Sequence, residues 1–457
     1  MQTTQDLEAQ LRTTQVLEDD LAHVLVPWRR QAGARGAVIE GAQGCYFHDS
    51  EGKRYLDLSS QFVFANFGHG HPTVISAIES QLHQLPVVAS QFPTAARADA
   101  ARMLAEVTPG DLNRVFFSTS GAEANEAAIK MARDLTGRQL LCSRYSSYHG
   151  STFGAMTLSR DPRSWPFEPG IPGVIYAPVC NPYRCHRSPA GGCCQDCGEH
   201  CARELEAVLL EHSPKRVAAV IVEPIVGANG VIVPGDGYLQ TLREICDRWG
   251  ILLICDEVMT GFGRTGKWFA SDHYGVVPDM MTLAKGLTGG YVPLAATVVR
   301  ESLARTWDDR PLMHGHTYSG HALGCAAAVA AIEVYRDEQL IARAAEIGEY
   351  LLERATELME SHPSVGDVRG KGLFVGIELV RNRQSKEPMV DPNRPPTGPS
   401  AKDQVIAEAM SQGVFLLAGQ ASVLTLAPPL VVNTDDIDFA MSVLDGALAL
   451  ADAEAFE

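Results

Sequence analysis

Short apolar runs alternate with helical segments through the middle of the chain. The runs are rich in large aliphatic residues and occupy 114–117, 140–142, 217–222, 251–255 and 280–283. Helical segments such as 122–135 and 238–249 separate several of them. Strands that alternate with helices predict an α/β fold, in which a mainly parallel sheet is covered by helices on both faces.

The two ends of the chain follow other patterns. The predicted elements of the first part are a helix over 1–30, ending at Pro27-Trp28, and strands at 37–39 and 45–49 followed by a hairpin-like turn at 51–54. Those of the last part are helices over 321–335, 340–358 and 435–450, with strands near 372–380 and 424–426. The polar, proline-rich stretch 381–401 is predicted to be a surface loop.

These patterns predict a division into a large and a small unit. A large α/β domain is expected over 66–325. A smaller α+β unit is expected to combine the N-terminal helix and meander, 1–65, with the C-terminal residues 326–457.

The charge composition indicates which kinds of binding partner are disfavoured. The chain has 38 Lys and Arg against 55 Asp and Glu, a formal net charge of −17, and shows no basic run. An acidic surface disfavours binding to nucleic acid or to an anionic membrane. The acidic N-terminal stretch lacks the apolar core of a secretory signal, and no apolar stretch reaches about 18 residues. We therefore expect a cytoplasmic protein, most simply an enzyme.

The cysteines fall into two groups. Five are scattered in apolar context, as reduced buried thiols usually are: Cys45, Cys142, Cys246, Cys255 and Cys325. The other six lie close together in the sequence: Cys180, Cys185, Cys193, Cys194, Cys197 and Cys201.

A carboxylate and an amine follow two of the predicted strands. Asp256 comes directly after the run 251–255, and Lys285 follows the run 280–283, each with glycines close behind. In a parallel sheet the carboxyl ends of the strands border the ligand crevice, so the two side chains are expected to meet there. The alternative is an aspartate that caps a turn and a lysine on the surface, which is the commoner outcome for such a pair alone.

Two further stretches suit the same crevice. The turn Ser118–Glu123 opens a helix, and the free N–H groups at a helix start can bind a phosphate, although an ordinary N-cap explains the same residues. Tyr148 places an aromatic ring beside another strand end, where core packing is the alternative. A phosphate cradle, a stacking ring, a carboxylate and a lysine together suit pyridoxal 5′-phosphate, because a lysine can bond to it and a carboxylate can keep its ring nitrogen protonated.

Five stretches carry a resemblance to a known family. They are Phe117–Glu126, Ser147–Gly150, Asp256–Gly266, Ala284–Gly286 and Gly315–His321. In this order they resemble the class III pyridoxal-phosphate aminotransferases, and the match runs from about Gly44 to Pro429. The resemblance implies a fold type I homodimer with active sites at the subunit interface.

The resemblance also implies roles for single residues. Lys285 would bond to the cofactor and later carry the proton, and Asp256 would hold the pyridine nitrogen. Tyr148 and Val258 would cover the two faces of the ring, with Glu223 nearby. The phosphate would be held by Ser120 and by the backbone of Gly121 and Ala122, and by Thr317 of the neighbouring subunit.

Departures from the family pattern bear on the substrate. Relatives that use glutamate carry an arginine where this chain has Thr425, a glutamate where it has Ala228, and usually a glutamine where it has Met259. An arginine would bind a substrate carboxylate in a bidentate manner. The mobile arginine of the amine branch is also missing from Leu416-Leu417-Ala418. Other candidate donors for an anion are Arg160, Arg163 and Arg184, with a surface role as the alternative.

The clustered cysteines leave several possibilities open. Cys194 and Cys197 have the spacing of a metal-binding pair, and Cys185 and Cys201 would complete a four-thiolate zinc site. Free thiols or a disulfide within an insertion, or an iron–sulfur cluster, are the alternatives. The spacing matches no familiar zinc motif, and class III catalysis needs no metal.

The leading hypothesis is a transaminase that moves an amino group from a primary amine or ω-amino acid, of the taurine or β-alanine type, to a keto acid, with pyruvate as the expected acceptor. A second hypothesis is a lyase that acts by β-elimination on a phosphorylated or phosphonate amine, or a racemase of the same family. A third is a non-enzymatic metal sensor on this scaffold, against which the complete set of Lys285, Asp256 and Tyr148 argues.

Overall fold

The structure of the protein is a computed structural model of the 457-residue chain. It describes residues 4–28, 30–32, 36–185, 187, 194, 196–391, 398–417, 419 and 422–456. Cys193 of the sequence-derived cysteine group and Ala418 of the 416–418 stretch lie outside these residues.

Helices and strands alternate through most of the described chain. The helices are α1 Thr4–His23, α2 Ser60–Val63, α3 Pro72–Gln84, α4 Ala95–Val107, α5 Gly121–Thr136, α6 Phe153–Leu158, α7 Cys197–Glu211, α8 Tyr238–Trp249, α9 Glu301–Ala304, α10 Ala322–Asp337, α11 Leu340–Ser361, α12 Ala401–Ser411 and α13 Thr434–Asp452. The strands are β1 Ile39–Gln43, β2 Tyr46–Asp49, β3 Arg54–Asp57, β4 Leu112–Ser118, β5 Leu140–Arg144, β6 Val174–Ala177, β7 Val217–Val222, β8 Leu252–Asp256, β9 Met280–Leu283, β10 Ala295–Arg300, β11 Val365–Lys371, β12 Phe374–Asn382, β13 Glu387–Pro388, β14 Val414–Phe415 and β15 Val423–Leu426.

The central sheet has seven strands in the order β4-β10-β9-β8-β7-β5-β6. Five of them, from β9 to β6, pair in parallel. Strand β10 runs antiparallel to both of its neighbours, which the sequence pattern did not predict. The predicted α/β class with a mainly parallel sheet is therefore confirmed.

Alternate residues of β7 face opposite layers of helices. Val220 and Val222 pack with the apolar faces of α7 and α8, whereas Ala219 and Ile221 pack with α5. Every residue of β7 is buried, so the strand appears in the sequence as an unbroken apolar run. Helices on both faces are thus present as predicted.

Two smaller sheets join distant parts of the chain. One has the order β1-β2-β3-β14, so that the C-terminal strand β14 pairs with the N-terminal strand β3. The other contains β11, β12 and β13, and β15 also pairs with β12. The division into 1–65, 66–325 and 326–457 stays a prediction.

Local predictions need two corrections. The first helix ends at His23 rather than at Pro27-Trp28. The stretch 381–401 is not purely loop, because Glu387–Pro388 adds a short strand to β12 and Ala401 begins α12. Ser400 caps this helix by accepting a hydrogen bond from the Asp403 N–H, a Ser-x-x-Asp pattern that the proline-rich surroundings obscured. Among the described residues, no helix is both long and apolar enough to cross a membrane.

Arg264 ties three parts of the chain together although its side chain is fully buried. Its guanidinium donates to the carbonyl oxygens of Leu373 (3.0 Å) and Pro428 (2.6 Å). It also donates to Ser60 Oγ (3.0 Å) and Asn66 Oδ1 (2.9 Å). Burial lowers the pKa of Arg264 to about 10. This residue of the Asp256–Gly266 motif therefore has a structural function.

Replacing Arg264 with methionine is expected to lower the free energy of unfolding by about 3 kcal/mol, because four buried acceptors lose their donor. The thermal midpoint, followed by calorimetry, measures the loss. Arg102→Met is the control, since its side chain is 59% exposed and pairs only with surface carboxylates. That change is expected to cost less than about 1 kcal/mol. Equal midpoints for the two variants would contradict a structural function for Arg264.

Candidate active site

The carboxyl ends of the parallel strands open into a cavity of about 410 Å³. Asp256 is the last residue of β8, and Lys285 lies two residues after β9; both line the cavity. The predicted meeting of these side chains follows directly from the parallel pairing of β8 with β9.

Lys285 begins a short 3₁₀ turn, Lys285–Leu287, with a φ angle of +41°. A left-handed backbone is strained for a residue with a side chain, and such strain is found mainly at functional sites. Burial of the amine lowers the pKa of Lys285 to about 8, against the opposing effect of the Asp256 and Glu223 carboxylates. A sizeable fraction of the side chain is therefore a neutral amine near neutral pH, available as a nucleophile or a base.

The lowered pKa of Lys285 can be tested in protein prepared without cofactor. Labelling of Lys285 by trinitrobenzenesulfonate, read by peptide mass spectrometry, is expected to increase with pH with a midpoint near pH 8. The neutral amine is the reactive form, so the rate falls as the pH drops below the pKa. In Asp256→Asn the midpoint should move to lower pH, because the lost carboxylate stabilised the ammonium. A midpoint above pH 10 in the parent protein would contradict the assignment.

Asp256 is held in one orientation by three donors. Its Oδ2 accepts a hydrogen bond from Asn125 Nδ2 (2.8 Å) and lies 2.7 Å from His149 Nδ1. Its Oδ1 accepts from the Val258 N–H at 3.0 Å. The Asn125 amide is oriented in turn, since its Oδ1 accepts from Thr282 Oγ1 at 2.8 Å. The carboxylate is therefore fixed before any ligand arrives.

Asn125 and His149 were not assigned this task from the sequence. Both are buried, on α5 and just before α6 respectively. Little in the sequence marked them: Asn125 follows Ala124 on the buried face of α5, and His149 stands within the Ser147–Gly150 motif.

The phosphate turn forms the N-terminus of α5. Ser120 is the N-cap, and its Oγ accepts from the Glu123 N–H at 3.2 Å, so the capping interpretation of this residue is correct. Gly121 and Ala122 are the first residues of the helix and line the cavity. Their N–H groups belong to the first turn, which has no partners within the helix and attracts an anion. Capping and phosphate binding are therefore compatible here.

Tyr148 and Val258 both line the cavity, as the resemblance implied. Gly121 lies so close to Val258 that a Cβ on the glycine would sit 2.8 Å from Val258 Cγ1. A side chain at position 121 would therefore displace one wall of the cavity. On the other wall, the Tyr148 hydroxyl lies 3.1 Å from Ser151 Oγ.

Glu223 is buried beneath this wall and joins two loops. Its Oε1 accepts from the Tyr148 N–H (3.0 Å) and its Oε2 from the Gly227 N–H (2.8 Å). Burial raises the pKa of the Glu223 carboxyl. Its contacts position Tyr148, and its expected location near the cofactor ring stays a prediction.

These residues fit pyridoxal phosphate. The cavity offers a nucleophilic amine at Lys285, an oriented carboxylate at Asp256 and a helix N-terminus at Gly121. An aromatic and an aliphatic side chain provide two faces for a flat ring. Thr317 does not line the cavity and is exposed, so its expected role in a neighbouring subunit stays a prediction.

The positions that depart from the glutamate-using pattern lie near one another. Met259 lines the cavity and packs against Gly227, where a Cβ would meet the Met259 sulfur at 2.4 Å. The turn that contains Ala228 continues to Gly230, which packs against Val423 of β15. Thr425 lies on the same strand, two residues further on. The structure therefore brings together the segments that carry the substituted positions.

The three candidate arginines have different surroundings. Arg160 forms an ion pair with Glu168 and lies over the Tyr176 ring, 5.1 Å from its centre. Arg184 donates to Glu378 at 2.6 Å on the small-sheet side.

Arg163 lies next to the site. Its guanidinium lies 4.0 Å from the centre of the Tyr148 ring and pairs with Asp161. It lines a second cavity of about 330 Å³ that shares Tyr148 with the first. Its charge also contributes to lowering the pKa of Lys285.

Comparison with known proteins supports the geometric interpretation. The family model described as aminotransferase class-III matches residues 29–448. A taurine–pyruvate aminotransferase of Bilophila wadsworthia is 35% identical over 431 residues, which cover 90% of this chain and 92% of that protein. A putrescine–pyruvate aminotransferase of Pseudomonas aeruginosa is 35% identical over 454 residues, 95% of each chain.

A solved structure shows the same fold. The taurine:2-oxoglutarate aminotransferase from Bifidobacterium kashiwanohense, in complex with PLP and glutamate, matches with a TM-score of 0.91 and 38% sequence identity. The match covers 96% of this chain and 98% of that one.

Proposed function

Because the chain belongs to the class III aminotransferase family, as its motifs predicted, we propose that it transfers the amino group of an ω-amino acid or primary amine to pyruvate. The chain is a pyridoxal-phosphate-dependent transaminase of fold type I. The donor and acceptor are the proposed part. The observation that carries them is the joint replacement of the glutamate-selective positions by Thr425, Ala228 and Met259.

The protein groups divide the catalytic tasks among themselves. When bound, pyridoxal phosphate acts as an electron sink for the reacting carbon. Lys285 Nζ would bond to it and, once released by the substrate, take up and return a proton. Asp256 would hold the proton on the ring nitrogen, with Asn125 and His149 keeping the carboxylate in place. Tyr148 and Val258 would restrain the ring between them.

Arg163 is proposed to bind the acidic group of the donor. Its guanidinium lies against Tyr148, which lines the cavity of Lys285, and its charge acts on that amine. A sulfonate or carboxylate two carbons from the amine would satisfy it. Asp161 shares the guanidinium and holds it in position through contacts of 3.1 Å.

Arg163→Gln is expected to raise KM for taurine and β-alanine by about tenfold to a hundredfold, the worth of a hydrogen-bonded charge. For an uncharged donor such as 1-phenylethylamine, KM should change little. The quantity to compare is the change in KM for the acidic donors relative to the change in KM for 1-phenylethylamine, because general damage to the site would alter both. Arg160→Gln, whose guanidinium pairs with Glu168, is the matched control. An unchanged ratio in Arg163→Gln would remove this arginine from substrate binding.

A panel of donors with pyruvate or 2-oxoglutarate tests the proposed reaction. We expect ω-amino donors to react with pyruvate, as the names of the Bilophila and Pseudomonas relatives suggest. The Bifidobacterium relative is named for 2-oxoglutarate, so this acid is the critical comparison. Faster turnover with 2-oxoglutarate would overturn the proposed acceptor. Turnover of the amine without any keto acid would indicate elimination instead of transamination.

We also propose a cytoplasmic homodimer with shared active sites. Thr317 supports the dimer, because it belongs to a family motif yet lies exposed and away from the cavity of its own chain. Light scattering during size-exclusion chromatography checks the mass, and a monomer with full activity would contradict the shared site.

A further inference from the structure

Five cysteines converge between β6 and α7, outside the cofactor cavity. We refer to Cys180, Cys185, Cys194, Cys197 and Cys201 as the cysteine cluster. Within the described residues they form two overlapping triads, Cys180-Cys197-Cys201 and Cys185-Cys194-Cys197. In each triad the sulfur atoms all lie within 4.8 Å of one another, and Cys197 belongs to both. The catalytic mechanism uses none of them.

The sulfur separations match a metal site better than a disulfide. Cys185 Sγ lies 4.0 Å from Cys194 Sγ and 3.9 Å from Cys197 Sγ. Four thiolates around zinc at about 2.3 Å stand about 3.8 Å apart along each edge of the tetrahedron. A disulfide would require about 2.05 Å. Two of the three sulfur separations in this triad are thus close to the edge length of a tetrahedral zinc site, and the third is at most 4.8 Å.

The backbone around these sulfurs is arranged as a ligand-holding turn. Cys185 Sγ accepts hydrogen bonds from the backbone N–H groups of Arg187 and Cys194. The Cys197 N–H donates to the Cys194 carbonyl at 3.1 Å, which closes the Cys194-x-x-Cys197 turn just as α7 begins. Backbone N–H donors to sulfur stabilise the negative charge of a thiolate and fix its direction toward a metal.

The fourth ligand comes from the next turn of α7. Cys201 follows Cys197 by four residues, so both side chains lie on one face of the helix. Cys180 is the competitor, because its sulfur lies within 4.8 Å of those of Cys197 and Cys201, but its Sγ already accepts from the Gly235 N–H at 3.4 Å. The positive charge of Arg187 acts on Cys194 and Cys201, which offsets the negative charge that four thiolates leave on a divalent ion.

We propose that the cysteine cluster binds one zinc ion through Cys185, Cys194, Cys197 and Cys201. Zinc is the divalent ion that tetrahedral four-thiolate sites select, and such closed sites are structural. The ion would tie the segment around Cys185 to the start of α7. That segment carries Arg184, next to Cys185. The Arg184 side chain donates to Glu378 of β12 and to the Lys386 carbonyl. The site therefore fixes the contact between the edge of the large sheet and the small sheet.

Elemental analysis of the holoenzyme, purified without an affinity tag, tests the proposal first. We expect about one zinc ion per chain. The extended X-ray absorption fine structure at the zinc edge should be fitted by four sulfur atoms at about 2.3 Å. Zinc below about one tenth per chain, iron in its place, or a first shell dominated by nitrogen or oxygen would overturn it. A disulfide between any two members of the cysteine cluster, found by mass spectrometry without reduction, would do the same. These measurements need no variant.

Substitution then assigns the ligands. Cys185→Ser, Cys194→Ser and Cys201→Ser are each expected to reduce the zinc content at least several-fold and to lower the thermal midpoint. Cys180→Ser and Cys246→Ser, which alters a buried cysteine of α8, should keep the metal. Zinc that persists in Cys201→Ser but is lost in Cys180→Ser would overturn the assignment of Cys201 as the fourth ligand. At temperatures below the thermal midpoint, turnover per cofactor-loaded site should stay within about twofold of the parent value, since a structural ion does not touch the substrate.

Discussion

Replacing Lys285 with alanine is expected to lower kcat/KM for transamination by at least about 10⁴-fold, because one side chain supplies both the covalent link to the cofactor and the proton transfer. The amine after β9 is the one lysine among the described residues that line the cavity, whose other ionisable residues are Tyr148, His149, Glu223 and Asp256. Initial rates with the best donor from the panel give the loss, and the visible absorption band of the lysine-bound cofactor should disappear.

Lys402→Ala is the matched control. Lys402 is also a buried lysine whose pKa is lowered by burial, but its Nζ donates to the Gly419 carbonyl at 2.6 Å in the small-sheet region. Its loss should reduce stability and leave kcat unchanged. Measurable turnover by Lys285→Ala at more than about one hundredth of the parent rate would refute the catalytic assignment.

Asp256→Asn is expected to lower kcat by about 10²- to 10³-fold with a modest change in KM. The amide has the shape of the carboxylate but lacks the negative charge that keeps the ring nitrogen protonated. The neighbouring Asn125 and His149 would also face an amide in place of an acceptor-only group. Pre-steady-state rates of the first half-reaction measure the effect on the proton transfer itself.

Asp279→Asn provides the comparison. Asp279 is another partly buried aspartate beside β9, and it pairs with Arg243 at 2.8 Å and accepts the Leu253 N–H at 2.7 Å. Its replacement should lower the thermal midpoint but spare kcat, whereas Asp256→Asn should do the reverse. Equal effects of the two changes on kcat would mean that Asp256 acts through the fold and not through the ring nitrogen.

Much of the catalytic centre follows from local sequence. The apolar runs that become β8 and β9 are fully or nearly fully buried, so their ends are marked by the first ionisable residues, Asp256 and Lys285. Parallel neighbours end at the same edge of a sheet, which places the two side chains together without further information. The N-cap at Ser120 could also be predicted, because the start of a helix depends on four neighbouring residues.

Other features depend on contacts between distant segments and were missed or left open. Strand β10 is antiparallel, and its apolar pattern does not reveal direction. Asn125 and His149 meet Asp256 across gaps of more than one hundred residues. Arg163 could not be separated from Arg160 and Arg184 until the Tyr148 ring was found beneath it.

The sequence alone established the fold class and, through its motifs, the cofactor, and it proposed Lys285 and Asp256 as the residues that act on it, because these rest on periodicity and on residues at strand ends. The tertiary structure decided which arginine lies on the Tyr148 ring, how the Asp256 carboxylate is oriented and which cysteine sulfurs come within 4.8 Å of one another. Such choices depend on side-chain distances of a few ångströms between segments that the sequence separates, and only the packed chain brings these segments together.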